Sequence, residues 1–110
     1  MHSGNYIKYE DRVIINNDTV LSVLHIDGSV LCFGRATINE LDSKYSNLSH
    51  EDKIDKCCKL AYKRAKDNFL AVNRKLNKDY LIEQITCHGL YLNHLTNNFE
   101  NIMKSIIKSL

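Results

Sequence analysis

Apolar and polar positions change period once along this chain, which divides it into a sheet-forming first third and a helical remainder. Arg12-Val13-Ile14-Ile15 is a β-branched run and predicts a first strand, with Tyr6 to Tyr9 either a short strand or an ordered arm. Asn16-Asn17-Asp18 then turns the chain, because Asn and Asp tolerate left-handed backbone. Val20 to Ile26 predicts strand two and Ser29 to Ile38 strand three. Between them, Asp27-Gly28 suits a tight hairpin turn with positive φ at both central residues. A two-residue turn sets Ile26 opposite Ser29, Leu24 opposite Leu31, Ser22 opposite Phe33 and Val20 opposite Arg35 on one face. The other face then carries His25 with Val30, Val23 with Cys32, Leu21 with Gly34 and Thr19 with Ala36. Neither face is polar, whereas an antiparallel sheet with one wet side alternates, so both faces need a cover. The Gly34/Ala36 face is the expected seat of a helix, since small residues allow close approach. The face with Leu24, Leu31 and Phe33 then needs either the C-terminal helix or a second subunit.

After a polar loop, Asn39 to Leu48, the period becomes helical. Ser49 stands three residues before Asp52, an N-cap arrangement with Glu51 and Asp52 at the positive end of the helix dipole. Ile54, Cys58, Ala61, Ala65, Phe69, Val72 and Leu76 form one apolar stripe, with Cys57 nearer its edge and Asn77 a stop. Residues 79–95 read two ways. Leu81, Ile82 and Ile85 fit a short helix ended by Gly89, and Tyr80-Leu81-Ile82 equally fits a strand. Asn97 with Glu100 predicts a new cap, opening a final amphipathic helix with Phe99, Ile102, Met103, Ile106 and Leu110. Taken with Leu92 and Leu95 the spacing approaches a heptad seam, too short for a standalone coiled coil. The predicted class is α+β within a single domain, 1–110. It comprises an antiparallel three-stranded β-meander (12–38), a long amphipathic helix (49–76) and a mainly helical C-terminal segment (79–110).

Composition adds bounds. A chain of 110 residues, 44% hydrophobic, buries a modest core, and a partner subunit would help. The net charge of +2 and pI of about 8.3 fall short of the basicity of domains held mainly by phosphate. No apolar run is long enough for a membrane span. Met1-His2-Ser3-Gly4-Asn5 lacks the basic-then-apolar pattern of a signal peptide. A cytoplasmic location is therefore expected, with the four cysteines as thiols. The absence of proline and the abundance of Asn, Lys and Ile suggest an AT-rich genome, such as that of a low-GC bacterium or its phage.

Candidate chemistry is sparse. Cys57-Cys58, Cys87-His88 and His94 lack the paired spacing of a structural zinc site, so neither metal nor cofactor is expected. No nucleophile elbow, phosphate-binding glycine loop or zinc-protease motif occurs, and no enzyme is expected. Lys56, Lys59, Lys63 and Lys66 lie on one side of the long helix with Arg74 near the same line, opposite the apolar stripe. This row is either an ordinary solvated face or a phosphate-facing strip that Asp55 and Asp67 dilute. Arg35 projects beside Phe33, where a guanidinium could hold a phosphate while the ring stacks on a base. The alternative is an arginine at an interface edge with its stem on Phe33. The candidate ligand-binding residues are thus Phe33, Arg35, Lys56, Lys59, Lys63 and Lys66.

Gly34-Arg35-Ala36, the acidic Asp42 and Ala61-Tyr62-Lys63-Arg64-Ala65 together resemble a class of small phage and prophage proteins. Those are built as a β-meander followed by a helix, like a double-stranded-RNA-binding domain. With its C-terminal extension the chain is similar, within that class, to the phage Thoeris anti-defence proteins. The resemblance implies a non-enzymatic homo-oligomer in the host bacterial cytoplasm. It would blunt immunity by sequestering a cyclic or NAD-derived nucleotide signal. Two alternatives stand beside it. One is an inhibitor of anti-CRISPR type that binds a bacterial defence protein; the mildly basic pI argues against a DNA mimic. The other is a double-stranded-RNA-binding module, which wants basic side chains at the helix N-terminus. There the chain has Glu51 and Asp52 with only Lys53 to offset them.

Overall fold

Two helices cover the two sides of one three-stranded sheet, as the apolar character of both sides requires. The computed structural model of the chain describes residues 7–27, 30–71 and 78–110. Strands β1 (Ile7–Ile15), β2 (Thr19–Ile26) and β3 (Val30–Thr37) pair antiparallel in the order β1-β2-β3. Ile7 to Tyr9 form no separate strand or arm; they continue β1, with a register irregularity between Ile7 and Tyr9. The left-handed turn lies between β1 and β2. Asn16 and Asn17 have φ of 54° and 63°, and the Asp18 N–H donates to the Ile15 carbonyl at 3.3 Å.

The predicted β2–β3 register is one residue out. Gly28 and Ser29 lie outside the described residues, but the strands beyond them pair Ile26 with Val30, Leu24 with Cys32, Ser22 with Gly34 and Val20 with Ala36. Three residues, not two, therefore separate Ile26 from its partner. Because side chains alternate, this slip re-sorts the faces. Leu24, Ser22 and Val20 join Gly34 and Ala36 on one side. Leu21 and Val23 join Leu31, Phe33 and Arg35 on the other.

Helix α1 (His50–Ala71) starts where the cap predicts: the Asp52 N–H donates to Ser49 Oγ at 3.2 Å. Val72, Leu76 and Asn77 of the predicted helix end, and Arg74, lie outside the described residues. α1 packs on the Gly34/Ala36 side. Cys57, Ala61 and Ala65 are fully buried there, while Ile54, Cys58 and Phe69 are half-buried, so Cys57 rather than Cys58 centres the stripe. A Cβ on Gly34 would collide with the Ala61 carbonyl oxygen and the Ala65 backbone, reaching 2.8 Å from Ala65 Cα. Glycine is required by the closeness of helix to strand.

Helix α2 (Lys78–Ser109) is one continuous helix of 32 residues. Tyr80-Leu81-Ile82 is helical, Gly89 sits mid-helix with open space beside it, and Asn97 and Glu100 are interior residues, not a cap. A glycine inside a helix costs only about 1 kcal/mol relative to alanine, which an apolar stripe running in phase through Gly89 offsets. The first half of α2 covers the second sheet face, where Cys87 and Tyr91 pack on Val13, Leu21, Val23 and Phe33. The chain thus supplies its own second cover. The remainder of α2 runs past the sheet, and every residue from Leu95 to Leu110 is exposed. The architecture is α+β, as the patterning predicts.

Candidate functional site

Phe33 and Arg35 join β3 to α2. Phe33 is 3% exposed, its ring centroid 5.6 Å from His88 and 6.0 Å from Tyr91. Its backbone groups point off the free edge of the sheet. There the Phe33 N–H donates to Gln84 Oε1 at 3.0 Å, and its carbonyl accepts from Gln84 Nε2 at 3.0 Å and Asn68 Nδ2 at 2.8 Å. One side-chain amide thus supplies the donor and the acceptor that a neighbouring strand would. Arg35 forks onto Glu83, with Nε to Oε2 at 3.1 Å and Nη2 to Oε1 at 2.8 Å. Both groups are about one-third exposed. Phe33 lines a small open cleft with Leu31, Leu81, Ile85 and His88, and the Arg35 fork ties β3 to α2.

The lysine side is built by the segment between β3 and α1. Two short 3-10 turns, Ile38–Glu40 and Ser43–Tyr45, fold it back against the helix. The Glu40 carboxylate accepts from the Thr37 N–H and hydroxyl, each at 3.2 Å, and pairs with Arg64. Arg64 Nη1 also donates to the Arg35 carbonyl at 2.8 Å, so one guanidinium ties β3, the first 3-10 turn and α1 together. Burial pushes the Glu40 carboxyl up, but Arg64 and the Thr37 hydrogen bonds outweigh it and hold it below the ordinary carboxylate value. The second turn carries Tyr45. Its ring centroid lies 5.2 Å from Lys44 Nζ and 5.3 Å from Lys56 Nζ.

Lys56, Lys59 and Lys63 line an open cleft of about 380 Å³ with Leu41, Tyr45 and Leu60, and Glu40 and Asp42 complete the lining. Lys59 pairs with Asp55 at 3.6 Å and Lys63 with Asp67 at 3.0 Å, both pairs well exposed. Such pairs contribute only about 0–1 kcal/mol and leave the ammonium groups available. Lys66 stands apart, with Nζ 4.5 Å from the Tyr62 centroid. The fold therefore brings three of the four predicted lysines together and keeps Phe33 and Arg35 out of their cleft. Tyr45 and Leu41 are missed from sequence. The available signal is a lone aromatic and two leucines, Leu41 and Leu48, in an otherwise polar segment, and it acquires meaning when that segment closes onto α1.

The remaining candidate groups are dispersed. Burial raises all four thiols, Cys32 to about 11 and Cys87 to about 12, the latter with help from Glu83. A thiol that stays protonated is a poor nucleophile. His88 lies against Phe33, and His94 Nε2 is 3.1 Å from the Asn98 amide. Among the described residues, no three His, Cys, Asp or Glu side chains converge as metal ligands, and no helix is long and apolar enough to cross a membrane. Comparison of the chain with protein-family models, with curated proteins and with solved structures finds no match.

Proposed function

We propose that this protein is a non-enzymatic binding protein that captures a small phosphate-bearing ligand. In the reading that the sequence resemblance supplies, the ligand is a cyclic or NAD-derived nucleotide of a bacterial immune signal, and its capture blunts the defence. The observation that carries the reading is the cleft that Lys56, Lys59 and Lys63 line together with Tyr45, whose ring Lys56 faces at 5.3 Å. An aromatic face beside several cations suits a base next to its phosphates. The lysines act as mobile point charges that neutralise phosphate oxygens, and Tyr45 with Leu41 offers the base a flat apolar floor. Asp42 is the nearby acceptor for a ribose hydroxyl or a base amino group. Capture of this kind needs no reacting side chain.

Titration calorimetry with a cyclic dinucleotide and with cyclic ADP-ribose, using inorganic phosphate as the reference, tests this. The expected result is saturable binding of one of the nucleotides that weakens as salt is raised. The K59E/K63E double variant and Y45A should each lose about tenfold or more, equivalent to ~1.4 kcal/mol. R35A, which alters no residue of the cleft, should bind as the natural chain does. Absence of nucleotide binding at low salt, or equal binding by K59E/K63E, would overturn the reading.

A further inference from the structure

We propose that the exposed flank of α2 is one half of a homodimer seam, closed by α2 of a second copy of this chain. Leu81, Ile85, Leu92, Leu95, Phe99, Ile102 and Ile106 recur at alternating steps of three and four, with His88 at the one polar step. All seven are between 43% and 71% exposed. The uninterrupted helix removes the sequence-based objection that the stretch is too short, because the seam runs for nearly four heptads along one element.

Three further features favour a second copy as occupant. First, a strict seven-residue repeat keeps an apolar line facing another helix, and a helix of the same repeat is available in the chain itself. At about 100° per residue, the seam lies roughly a quarter turn from the Cys87/Tyr91 side that packs on the sheet, and the two contacts meet only at its N-terminal end, where Leu81, Ile85 and His88 border Leu31 and Phe33. Second, the positions beside the seam, Gln84, Thr96, Asn98 and Met103 among them, carry no charge. Glu100, Lys104 and Lys108 sit towards the opposite side. Two copies can therefore approach without like-charge repulsion. Third, residues 95–110 form a helical stretch in which every residue is exposed among the described residues, and isolated helices of ~12–15 residues are marginal in water. A partner helix accounts for both the helicity and the exposed apolar surface. This seam is independent of the lysine cleft and of any ligand there.

Sedimentation equilibrium and native mass spectrometry of the full chain across micromolar concentrations test the seam. The natural chain should have the mass of two copies. The L95D/I102D double variant should fall to one copy while keeping the near-ultraviolet circular dichroism of the sheet-packed tyrosines, since neither residue touches the sheet. K104E, on the opposite side, should remain two copies. A natural chain that runs as one copy throughout, or as three or more, overturns the proposal, as does a double variant that stays dimeric. Capture of a different protein by a monomeric natural chain would overturn it in favour of a heterologous partner.

Discussion

The two faces of the sheet are covered by helices of similar amphipathicity through opposite means. On one face, α1 lies directly on β3: Gly34 leaves no side chain between the strand and the Ala61–Ala65 backbone, and Ala36 and Ala61 continue the same flat surface. On the other, Leu21, Val23 and Phe33 interdigitate with Cys87 and Tyr91, and polar side chains fasten the margin. At Gly34 the first contact is selected by shape, backbone against backbone, with no side chain there that can give way. The second is selected by volume, and large side chains can readjust. The free edge of β3 is closed from both sides, by α2 through Gln84 and by α1 and the first 3-10 turn through Asn68, Arg64 and Glu40. Gln84 and Asn68 bind the Phe33 backbone, Arg64 the Arg35 carbonyl and Glu40 the Thr37 N–H. An edge strand occupied in this way offers no template for another strand.

If this contrast holds, the largest loss should come from the smallest change. Gly34→Ala adds one methyl where only backbone can give way, and overpacking of this kind costs about 3 kcal/mol or more. Phe33→Leu, one residue earlier and on the volume-selected face, should cost roughly 1.5 kcal/mol. Urea unfolding of both variants measures the ratio. A Gly34→Ala chain as stable as Phe33→Leu would mean that α1 can lift from the strand, and that shape does not distinguish the two faces.

The same contrast explains what the sequence reveals. The seat of α1 is legible in Gly34, Ala36, Ala61 and Ala65 because small residues at strand and helix spacing have few other uses. Both Asn-rich turn and Ser49 cap are legible because their chemistry is local. The β2–β3 register is not, because it depends on whether Asp27 to Ser29 count as two residues or three, and both faces are apolar in either register. The continuity of α2 is hidden by Gly89 and Asn97, which are stop and start signals only when no tertiary surface supports the residues between them. Here Tyr91 and Cys87 anchor the helix across the glycine. The lysine row is visible from spacing. Its cleft is not, since Tyr45 meets Lys56 where the loop folds onto α1 through the packing of Ile38 and Leu41 and the Glu40–Arg64 pair, a contact between residues 24 apart in sequence.

A smaller effect separates the polar margin of the α2 face from its apolar centre. Gln84→Ala removes both the acceptor for the Phe33 N–H and one of two donors to its carbonyl, while Asn68 keeps the other. Losing a partner for one half-buried backbone group costs about 1–2 kcal/mol. Amide hydrogen exchange at Phe33 should speed up by a corresponding roughly five- to thirtyfold. Exchange at Cys32 and Gly34, whose neighbours on β2 are unchanged, should follow only the global loss. Equal acceleration at all three would show that Gln84 supports α2 docking generally and not the edge of β3 in particular.

The smallest effect, and the one that best isolates electrostatics from packing, is expected at Glu83. Its pair with Arg35 is about one-third exposed on each side, so Glu83→Gln should change stability by no more than about 1 kcal/mol, and less at high salt. The informative change is in the alkaline limb. Burial first, and the Glu83 carboxylate second, push the Cys87 thiol up to about 12 from its ordinary 9.0, against the pull of Arg35. In the unfolded chain that thiol ionises first, so its contribution to stability is intact below pH 9.0 and is lost as pH rises towards 12. Replacing the carboxylate leaves the starting point, which the unfolded chain sets, where it was. It also lowers the folded value, because burial, with only a small contribution from Cys32, then opposes Arg35. Chemical unfolding at stepped pH should show both chains beginning to lose stability together, with the Glu83→Gln chain levelling off earlier. Cys32, pushed to about 11 by burial on the α1 face, is present in both chains and is the weakest of the influences on Cys87, so the difference between the limbs reports mainly on Glu83. Superimposable limbs would mean that Cys87 is held protonated by packing alone, making the α2 face electrostatically as inert as the α1 face.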